Sequence, residues 1–475
     1  MNQNRREFLK NSALWLSAAA LTDGCLSRNP FSSGGGSMSG FSVPSLSHIR
    51  FCNIGVGGRG TEACARFTLF DGVEITALAD IRPEAVENEV AWLKEHGRDV
   101  SNLKEYKGRA DSWKAACEDP NVDVVYITTP AELHTEMVVY ALDCGKHVFV
   151  EVPGCQTVDQ AWEIVEACER NRRHCMLLEN CCYGEDELLA FNLCHKGLLG
   201  ELTHAECAYI HNLVWMNLAD TTKNRRGYRN KFVTRGNTYP THGLGPICMD
   251  MDINRGDRLD YLVSISSNTA ARPLYAKESF PPEAWQNKLR YVSGDMNTSI
   301  IKTAKGRTIQ IQFDTSTPRP YTRANFIQGS KGFFRGFPYE VGFTKKHGHE
   351  CGAFSAEKAA EVKSLYRSPV WKEWSELAKS DAGHGGMDFI MTVRIVHCLK
   401  NGLPMDIDVY DLATWSSIVE LTRESDLAGG KRVDIPDFTR GAWRTATPYG
   451  ESWFETPVEK TGIRKDRIFR SGYSV

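Results

Sequence analysis

The sequence has no long apolar run and almost no excess charge of either sign. Its one candidate hydrophobic segment, ALWLSAAAL at 13–21, is shorter than the ~20 residues that a helix needs to cross a bilayer. The 57 basic and 59 acidic side chains give a formal net charge of −2, so the composition provides no reason to expect nucleic acid or an anionic membrane surface as a partner. With 475 residues, 41% of them hydrophobic, the chain is typical of a soluble protein of about two to three domains.

The sequence also lacks the cysteine spacing of a disulfide framework or a zinc site. It contains 15 cysteines but no C-x-x-C motif, and Cys52, Cys64, Cys117 and Cys144 fall in apolar segments. This favours buried thiols that act as small hydrophobic residues. The segment KHGHECG at 346–352 groups two histidines, a glutamate and a cysteine, but ligands this close rarely form a tetrahedral site alone. We therefore expect a solvated loop there and no metal.

The N-terminus has the features of an export signal. Arg5 and Arg6 lead into FLK and then into a weakly apolar segment, a pattern similar to a twin-arginine signal peptide. An amphipathic helix is the alternative. We predict a signal peptide over 1–25 and a flexible Ser- and Gly-rich spacer over 26–47. Cys25 is a candidate lipid anchor and the only expected membrane contact, so the protein is predicted to be periplasmic or anchored to the cell envelope.

A glycine-rich loop follows the first strand of the mature chain. In HIRFCNIGVGGRG, the strand runs directly into the loop, and TEACARFTLF continues with helical periodicity. Between a strand and a helix, such glycines allow the backbone to approach a pyrophosphate at the helix N-terminus. We expect four residues of this loop to contact a dinucleotide: Gly55, Gly57, Arg59 and Gly60.

The next strand, VEITALAD, ends at Asp80, which is 20 residues after Gly60. This is the spacing of the acidic residue that binds the ribose diol. A carboxylate at that position repels a 2′-phosphate, so NAD is favoured over NADP, although Arg82 keeps the alternative open.

Alternation of strands and helices continues to residue 180 and predicts a Rossmann domain over 48–180 with a parallel sheet. Ligands of such sheets bind at the carboxyl ends of the strands. Ordinary turn chemistry is the alternative explanation for the polar residues at these ends. The further candidates for cofactor contact are Ala131, His134, Glu151, Val152 and Asn180.

Residues 181–475 have a different pattern. Segments such as TIQIQF at 308–313 alternate apolar and polar residues, which predicts an α/β domain with an open, largely antiparallel sheet and a C-terminal extension. One face of this sheet is expected to cover the cofactor. The other is expected to pair with a second subunit, which makes the protein a homo-oligomer.

This arrangement resembles the Gfo/Idh/MocA oxidoreductases, which join a Rossmann domain to an open-sheet α/β domain. Members usually carry Glu-Lys-Pro after the fifth strand, with the lysine near the reacting carbon. This chain has Glu151-Val152-Pro153, and an apolar side chain cannot transfer a proton. The departure argues against simple sugar dehydrogenation.

Several long segments are similar to glycoside hydrolase family 109, an NAD-dependent group of α-N-acetylgalactosaminidases. The resemblance implies that tightly bound NAD oxidises carbon 3 of the sugar, the proton on carbon 2 is removed, the aglycone leaves, water adds, and the ketone is reduced again. No net redox change results. The segments are GNTYPTHGLGPIC, MDINRGDRLDYLVSISS, GDMNTSIIKTAKGRTI, TPRPYTRANFIQGSKG and GHGGMDF.

The resemblance also implies catalytic residues. His242 and Tyr321 are expected to deprotonate the hydroxyl or carbon 2, with Tyr239 three residues before His242, and His384 is expected to serve as acid and base at the glycosidic oxygen. The arginines that flank Tyr321 are expected to lower its pKa. Substrate contacts are expected from the residues Tyr183, Tyr209, Arg229, Tyr239, His242 and Tyr321.

Two other functions remain open at this point. One is a sugar oxidoreductase with trapped NAD(P), in which one substrate is oxidised and another is reduced. The other is a carbohydrate-binding relative without catalytic activity. The four residues Tyr239, His242, Tyr321 and His384 favour the glycosidase, and the valine at position 152 counts against the oxidoreductase.

Overall fold

A parallel six-stranded sheet forms the first part of the fold, with the order β3-β2-β1-β4-β5-β6. The computed structural model describes residues 36–219, 234–344, 352–380 and 384–464. The order reverses between β1 and β4, and ligands of such sheets bind at this point beyond the carboxyl ends of the strands. The strands are β1 (Ile49–Ile54), β2 (Val73–Asp80), β3 (Lys104–Lys107), β4 (Val124–Ile127), β5 (His147–Val150) and β6 (Cys175–Leu177).

A helix connects each strand of this sheet to the next, as the alternation in the sequence predicts. Helices on both faces bury the strands, which explains apolar runs such as VVYI in β4. Phe51 of β1, for example, stacks on Phe67 with ring centroids 4.3 Å apart. The helices are α1 (Gly58–Phe67), α2 (Pro83–Glu95), α3 (Ser112–Glu118), α4 (His134–Asp143) and α5 (Val158–Asn171).

The second sheet has eight strands in the order β13-β12-β11-β7-β10-β9-β8-β14. Its pairs are antiparallel except for β7 and β10, which run parallel. This confirms the predicted fold class of a Rossmann domain joined to a largely antiparallel α/β domain. The strands are β7 (Leu202–Ile210), β8 (Leu259–Ser266), β9 (Asn297–Thr303), β10 (Thr308–Asp314), β11 (Phe326–Gly329), β12 (Gly332–Gly336), β13 (Tyr339–Phe343) and β14 (Val433–Asp434).

Helices of the second part pack around this sheet and against the first one. Within the described ranges, no helix is long and apolar enough to cross a membrane, and every cysteine is a free thiol. The predicted signal peptide, Cys25 and the segment 346–351 lie outside the described residues. The helices are α6 (Glu185–His195), α7 (Val214–Asn217), α8 (Thr241–Asp250), α9 (Ala271–Ser279), α10 (Trp285–Lys288), α11 (Ala356–Tyr366), α12 (Pro369–Ala378), α13 (Met387–Asn401), α14 (Val409–Leu427) and α15 (Val458–Thr461).

Helix α14 connects the two sheets because it contacts β8 of the second sheet and both β6 and α5 of the first part. Its N-terminus has a capping box, in which Asp408 accepts from the Asp411 backbone and Asp411 accepts from the Asp408 backbone. Arg255 donates to both Asp411 oxygens at 2.9 and 2.7 Å. A cap of this kind contributes roughly 1 kcal/mol, so the start of the connecting helix is well defined.

Helix α8 lies directly against the backbone of β7. A Cβ on Gly243 would lie 2.7 Å from the backbone nitrogen of Ala208, and one on Gly245 would lie 2.9 Å from the Cys182 sulfur. Both glycines therefore allow a close approach that any larger residue would prevent. The contact fixes the first turn of α8, which carries His242.

We predict that Gly243→Ala destabilises the protein, because the new methyl group meets backbone atoms that cannot move away without separating α8 from β7. The expected loss in the free energy of unfolding is about 1–3 kcal/mol, measured by urea denaturation. Gly450→Ala is the matched control, since a Cβ there meets nothing within 4 Å. Equal stability of the two variants would contradict the close packing of α8 on β7.

Candidate active site

The glycine-rich loop has the shape of a dinucleotide cradle. Gly55 has a φ of +94°, and a Cβ on it would lie 2.9 Å from the Thr128 carbonyl carbon. A Cβ on Gly60 would lie 2.1 Å from the Gly55 oxygen. Gly57 differs, because its nearest neighbour would be the Arg82 side chain at 3.8 Å. Two glycines thus permit the turn itself, and Gly57 leaves open space in which a pyrophosphate can approach the backbone.

Asp80 lies at the end of β2, where the ribose of a dinucleotide binds in Rossmann domains. One carboxylate oxygen accepts from the Val56 backbone at 2.8 Å. The other accepts from the Arg82 backbone at 2.8 Å and from its Nε at 3.1 Å. Arg82 is therefore paired with Asp80, and a 2′-phosphate would have to compete with this carboxylate. The residues present fit NAD.

Three of the other predicted cofactor residues have defined positions at the strand ends. Ala131 opens a 3₁₀ turn after β4, and Val152 packs partly buried against the hydrophobic core. His134 is buried, and its ring nitrogens contact the carbonyl oxygens of Pro153 and Thr129, both at 2.8 Å. Burial lowers the pKa of His134 against the opposing effect of these contacts. Its nitrogens thus hold two loops together, and no ring nitrogen is left for the cofactor.

Arg59 joins the glycine loop to the second part of the chain. Its guanidinium donates to the two oxygens of Asp388 at 2.8 and 3.0 Å and to Glu151 at 3.0 Å. Asn180 also donates to Asp388, at 3.0 Å. Because carboxylates bind this guanidinium on two sides, its role in the structure is to connect Glu151 with Asp388.

His384 is hydrogen-bonded to Asp388. Its Nδ1 lies 2.8 Å from Asp388 Oδ2, and this hydrogen bond raises the pKa of His384, whereas partial burial and Arg59 oppose the rise. Burial alone would raise the pKa of Asp388, but Arg59, Arg66 and His384 hold it well below its usual range. The hydrogen bond thus favours the imidazolium form of His384 and the carboxylate form of Asp388, and it leaves Nε2 of His384 outside this contact.

A second histidine–carboxylate pair lies on α8. Nδ1 of His242 is 2.7 Å from one oxygen of Glu179 and 2.9 Å from the other. Glu179 is fully buried. Burial would raise its pKa, but the attraction and hydrogen bond of His242, together with donors from Thr241 and Cys181, lower it. The contact leaves Nε2 as the His242 nitrogen available to a substrate.

Aromatic rings surround His242 on one side. Tyr209 lies at the centre, with ring centroids 4.9 Å from Tyr239, 5.3 Å from His242 and 6.4 Å from Tyr321. His211 lies 5.0 Å from the Tyr321 ring. We call the four rings beside His242, those of Tyr209, Tyr239, Tyr321 and His211, the aromatic wall. Rings with polar tips suit a sugar, because they combine apolar faces with hydrogen-bonding groups.

The pKa of Tyr321 is raised, not lowered as the flanking arginines predict. Arg323 does donate to its hydroxyl, at 2.5 Å, but burial of the hydroxyl raises the pKa of Tyr321 to about 12, and Arg323 offsets this only in part. The expected fall in its pKa is therefore wrong. Arg323 also forms an ion pair with Glu187. The negative charge of Glu187 opposes the effect of Arg323 on the Tyr321 hydroxyl.

Two predicted substrate residues are not in this group. Tyr183 is fully buried and donates to Asp406 at 3.2 Å, since the 3₁₀ turn Asn180–Tyr183 directs its ring into the core rather than towards the aromatic wall. Arg229 lies outside the described residues. Tyr209, Tyr239, His242 and Tyr321 do come together, and His384 belongs to the neighbouring Arg59 network.

Several contributors are absent from the sequence-based set. Asp388 follows His384 by four residues at the start of α13, a spacing that brings side chains together on a helix. Glu179 directly precedes Asn180 at the end of β6. Both signals were visible in GHGGMDF and LLEN. His211 and Glu187 had no comparable signal, because elements distant in the sequence bring them to the site.

Glu179, His242 and Cys181 also offer ligand atoms within 4.8 Å of one another. The Glu179–His242 hydrogen bond accounts for this proximity without an ion.

Comparison with known proteins identifies the family of this chain. Residues 49–178 match the model of the oxidoreductase family with an NAD-binding Rossmann fold, and residues 183–445 match the C-terminal domain of glycosyl hydrolase 109. A family 109 protein of Shewanella pealeana is 42% identical over 465 residues, which cover 95% of this chain and 99% of the relative. The chain belongs to glycosyl hydrolase family 109. A relative from Shewanella amazonensis, also of family 109, is 43% identical over 94% of this chain and 98% of its own.

Solved structures support the fold of this family 109 member. An NAD-binding oxidoreductase from Klebsiella pneumoniae covers 82% of the chain and 99% of its own length with a TM-score of 0.61 and 20% identity. Levoglucosan dehydrogenase in complex with NADH and levoglucosan covers 82% of the chain and all of its own with a TM-score of 0.60 and 17% identity. The resemblance drawn from the sequence motifs is confirmed, and the first domain is an NAD-binding Rossmann domain.

The open space at Gly57 leads to a prediction about NAD. In Gly57→Ala the new methyl group fits the protein itself, but it occupies the side from which the pyrophosphate approaches. We expect an unchanged melting temperature without NAD and at least about tenfold weaker NAD binding, measured by calorimetry. Gly55→Ala is the comparison, because its methyl group meets the Thr128 backbone and should reduce stability as well. Wild-type affinity in Gly57→Ala would contradict the cradle.

Proposed function

We propose that this protein is an exported glycosidase that releases terminal α-linked N-acetylgalactosamine by an NAD-dependent oxidation and elimination. The observation that carries the proposal is the presence of two neighbouring histidine–carboxylate pairs beside the cofactor loop. His242, paired with Glu179, contacts the aromatic wall, and Asn180, next to Glu179 in the chain, donates to Asp388 of the other pair. One pair also joins the cofactor loop through Arg59. A simple dehydrogenase needs one group to handle a hydroxyl proton. Elimination at neighbouring carbons requires a second proton acceptor and a proton donor.

When bound, NAD supplies hydride chemistry at carbon 3 of the sugar. Gly57 would admit its pyrophosphate and Asp80 would bind its ribose. Val152 occupies the position of the lysine that related dehydrogenases use. Proton transfer therefore passes to the histidines, which suits a reaction that must move protons at more than one carbon.

The two histidines suit opposite steps. The hydrogen bond to Asp388 raises the pKa of His384 and so favours its protonated form, which suits it to donate a proton to the departing glycosidic oxygen. His242 presents Nε2 because Glu179 occupies Nδ1, so it can accept a proton from the hydroxyl or from carbon 2. Tyr321, with a pKa of about 12, remains a phenol and donates a hydrogen bond to the substrate.

Export is compatible with this chemistry because the hydride that leaves the sugar returns to it in the same turnover. One NAD molecule that folds with the protein can then serve many turnovers outside the cytoplasm. The proposal therefore includes tightly bound NAD, an export signal over 1–25 and a glycan as the substrate. The supporting residues in the sequence are Arg5 and Arg6 for export and Cys25 for an anchor.

The test uses the purified full chain with an aryl α-N-acetylgalactosaminide in deuterated water and no added cofactor. We expect release of the aglycone, deuterium at carbon 2 of the sugar and no net formation of NADH. His242→Asn should reduce kcat by about 10²- to 10⁴-fold, the range typical of general acid–base groups. Mass spectrometry of the sugar and absorbance of the aglycone provide the two readouts.

The outcomes separate the possible functions. Release of the aglycone without deuterium would contradict elimination. NADH formation from free sugars, without release of the aglycone, would instead identify an oxidoreductase. Activity that appears only with millimolar NAD would contradict tight retention of the cofactor.

A further inference from the structure

Asp388 is fully buried, whereas His384, which is hydrogen-bonded to it, is partly exposed at the start of the turn His384–Gly386. The His384 side chain is 42% exposed, whereas that of Asp388 is 0% exposed. A buried carboxylate without partners would be costly. Its partners here are Arg59, Asn180 and His384.

We propose that Asp388 is a positioning residue that holds His384 through Nδ1 as the proton donor of the reaction, and that Arg59 fixes Asp388 from the cofactor loop. This inference rests on the proposed function for the identity of the reaction. In this proposal Arg59 holds Asp388, and through it His384, instead of binding the phosphates of the cofactor.

The geometry supports this assignment. Arg59 binds Asp388 with two parallel hydrogen bonds of 2.8 and 3.0 Å, an arrangement that fixes the plane of the carboxylate. The carboxylate then accepts from Nδ1 of His384 and selects the orientation in which Nε2 is turned away from it. Glu151 accepts a hydrogen bond from Nε of the same guanidinium, so a second carboxylate restricts the rotation of Arg59.

The charged surroundings of His384 come from three parts of the chain. Asp388 on α13 favours the imidazolium, Arg59 on α1 opposes it, and Glu62 on α1 favours it again. His211, beyond β7, lies within electrostatic range of His384. Helix α12 reaches this turn with the uncharged residue Ala378, next to Gly386. Asp388 is the group among these that is hydrogen-bonded to the ring.

The main test is Asp388→Asn, which keeps the shape of the side chain and removes its charge. His384 must be protonated to donate, so activity is lost as the pH rises through its pKa. Without the carboxylate that raises this pKa, the alkaline limb of kcat/KM should move to lower pH, and kcat at neutral pH should fall by about 10²-fold with little change in KM. An unmoved alkaline limb would overturn the proposal.

The matched control is Asp252→Asn. Asp252 also pairs with a histidine, His195, at 3.2 Å, and both lie outside the site. This variant should retain the wild-type pH profile. An equal loss in both variants would mean that removal of any such pair weakens the fold, and it would overturn the specific role of Asp388.

Arg59→Lys keeps the positive charge but loses the two parallel hydrogen bonds. We expect a lower kcat with an unmoved alkaline limb, because the geometry changes and the charge does not. If Asp388→Asn does not fold, this variant carries the test, and an unchanged kcat would overturn the proposal.

A readout independent of catalysis separates this inference from the proposed function. In protein with ¹³C-labelled histidine, the His384 signal can be assigned by its loss in His384→Gln. Its titration should move to lower pH in Asp388→Asn even if the protein hydrolyses no galactosaminide. Absence of activity in the wild type with this shift present would overturn the proposed function alone. Absence of the shift would overturn the role of Asp388.

Discussion

The ion pairs of Arg59 with the buried Asp388 and with Glu151 are the interactions on which the arrangement of the site depends. Each of the three comes from a different element: the start of α1, the start of α13 and the end of β5. Removal of one partner from a buried ion pair typically costs about 3–5 kcal/mol, because the other charge is left uncompensated. The triad therefore holds the glycine loop and the His384 turn in one fixed relation.

A similar principle applies at His242. Gly243 and Gly245 allow α8 to pack closely against β7 and Glu179. The His242 ring therefore contacts the Glu179 carboxylate, which is fully buried. Both histidines thus have one ring nitrogen engaged by a buried acid. Their surroundings differ: the His242 side chain is 12% exposed and packs against the aromatic wall, whereas the His384 side chain is 42% exposed.

Much of the fold could be predicted from the sequence because its strands are either fully apolar or strictly alternating. The runs VEITALAD and TIQIQF became β2 and β10. Strand β3, with the sequence KEYK, could not be predicted, since a short charged edge strand has neither pattern. At the site, motifs identified the histidines and tyrosines. The carboxylates Asp388 and Glu179 stand in GHGGMDF and LLEN, but which histidine each one contacts depends on the tertiary fold. Tyr183 lies in the core because the sequence does not specify in which direction a 3₁₀ turn points.

The backbone at His384 carries a further consequence. His384, Gly385 and Gly386 all have positive φ, at 49°, 64° and 91°, and a left-handed conformation costs a non-glycine residue of order 1 kcal/mol. Positions 385 and 386 hold glycine, which adopts this conformation most readily, but position 384 holds a histidine. Selection for stability alone would place glycine there too. The turn thus keeps a histidine at a position that glycine would occupy at a lower conformational cost, and the hydrogen bond from His384 to Asp388 depends on that choice.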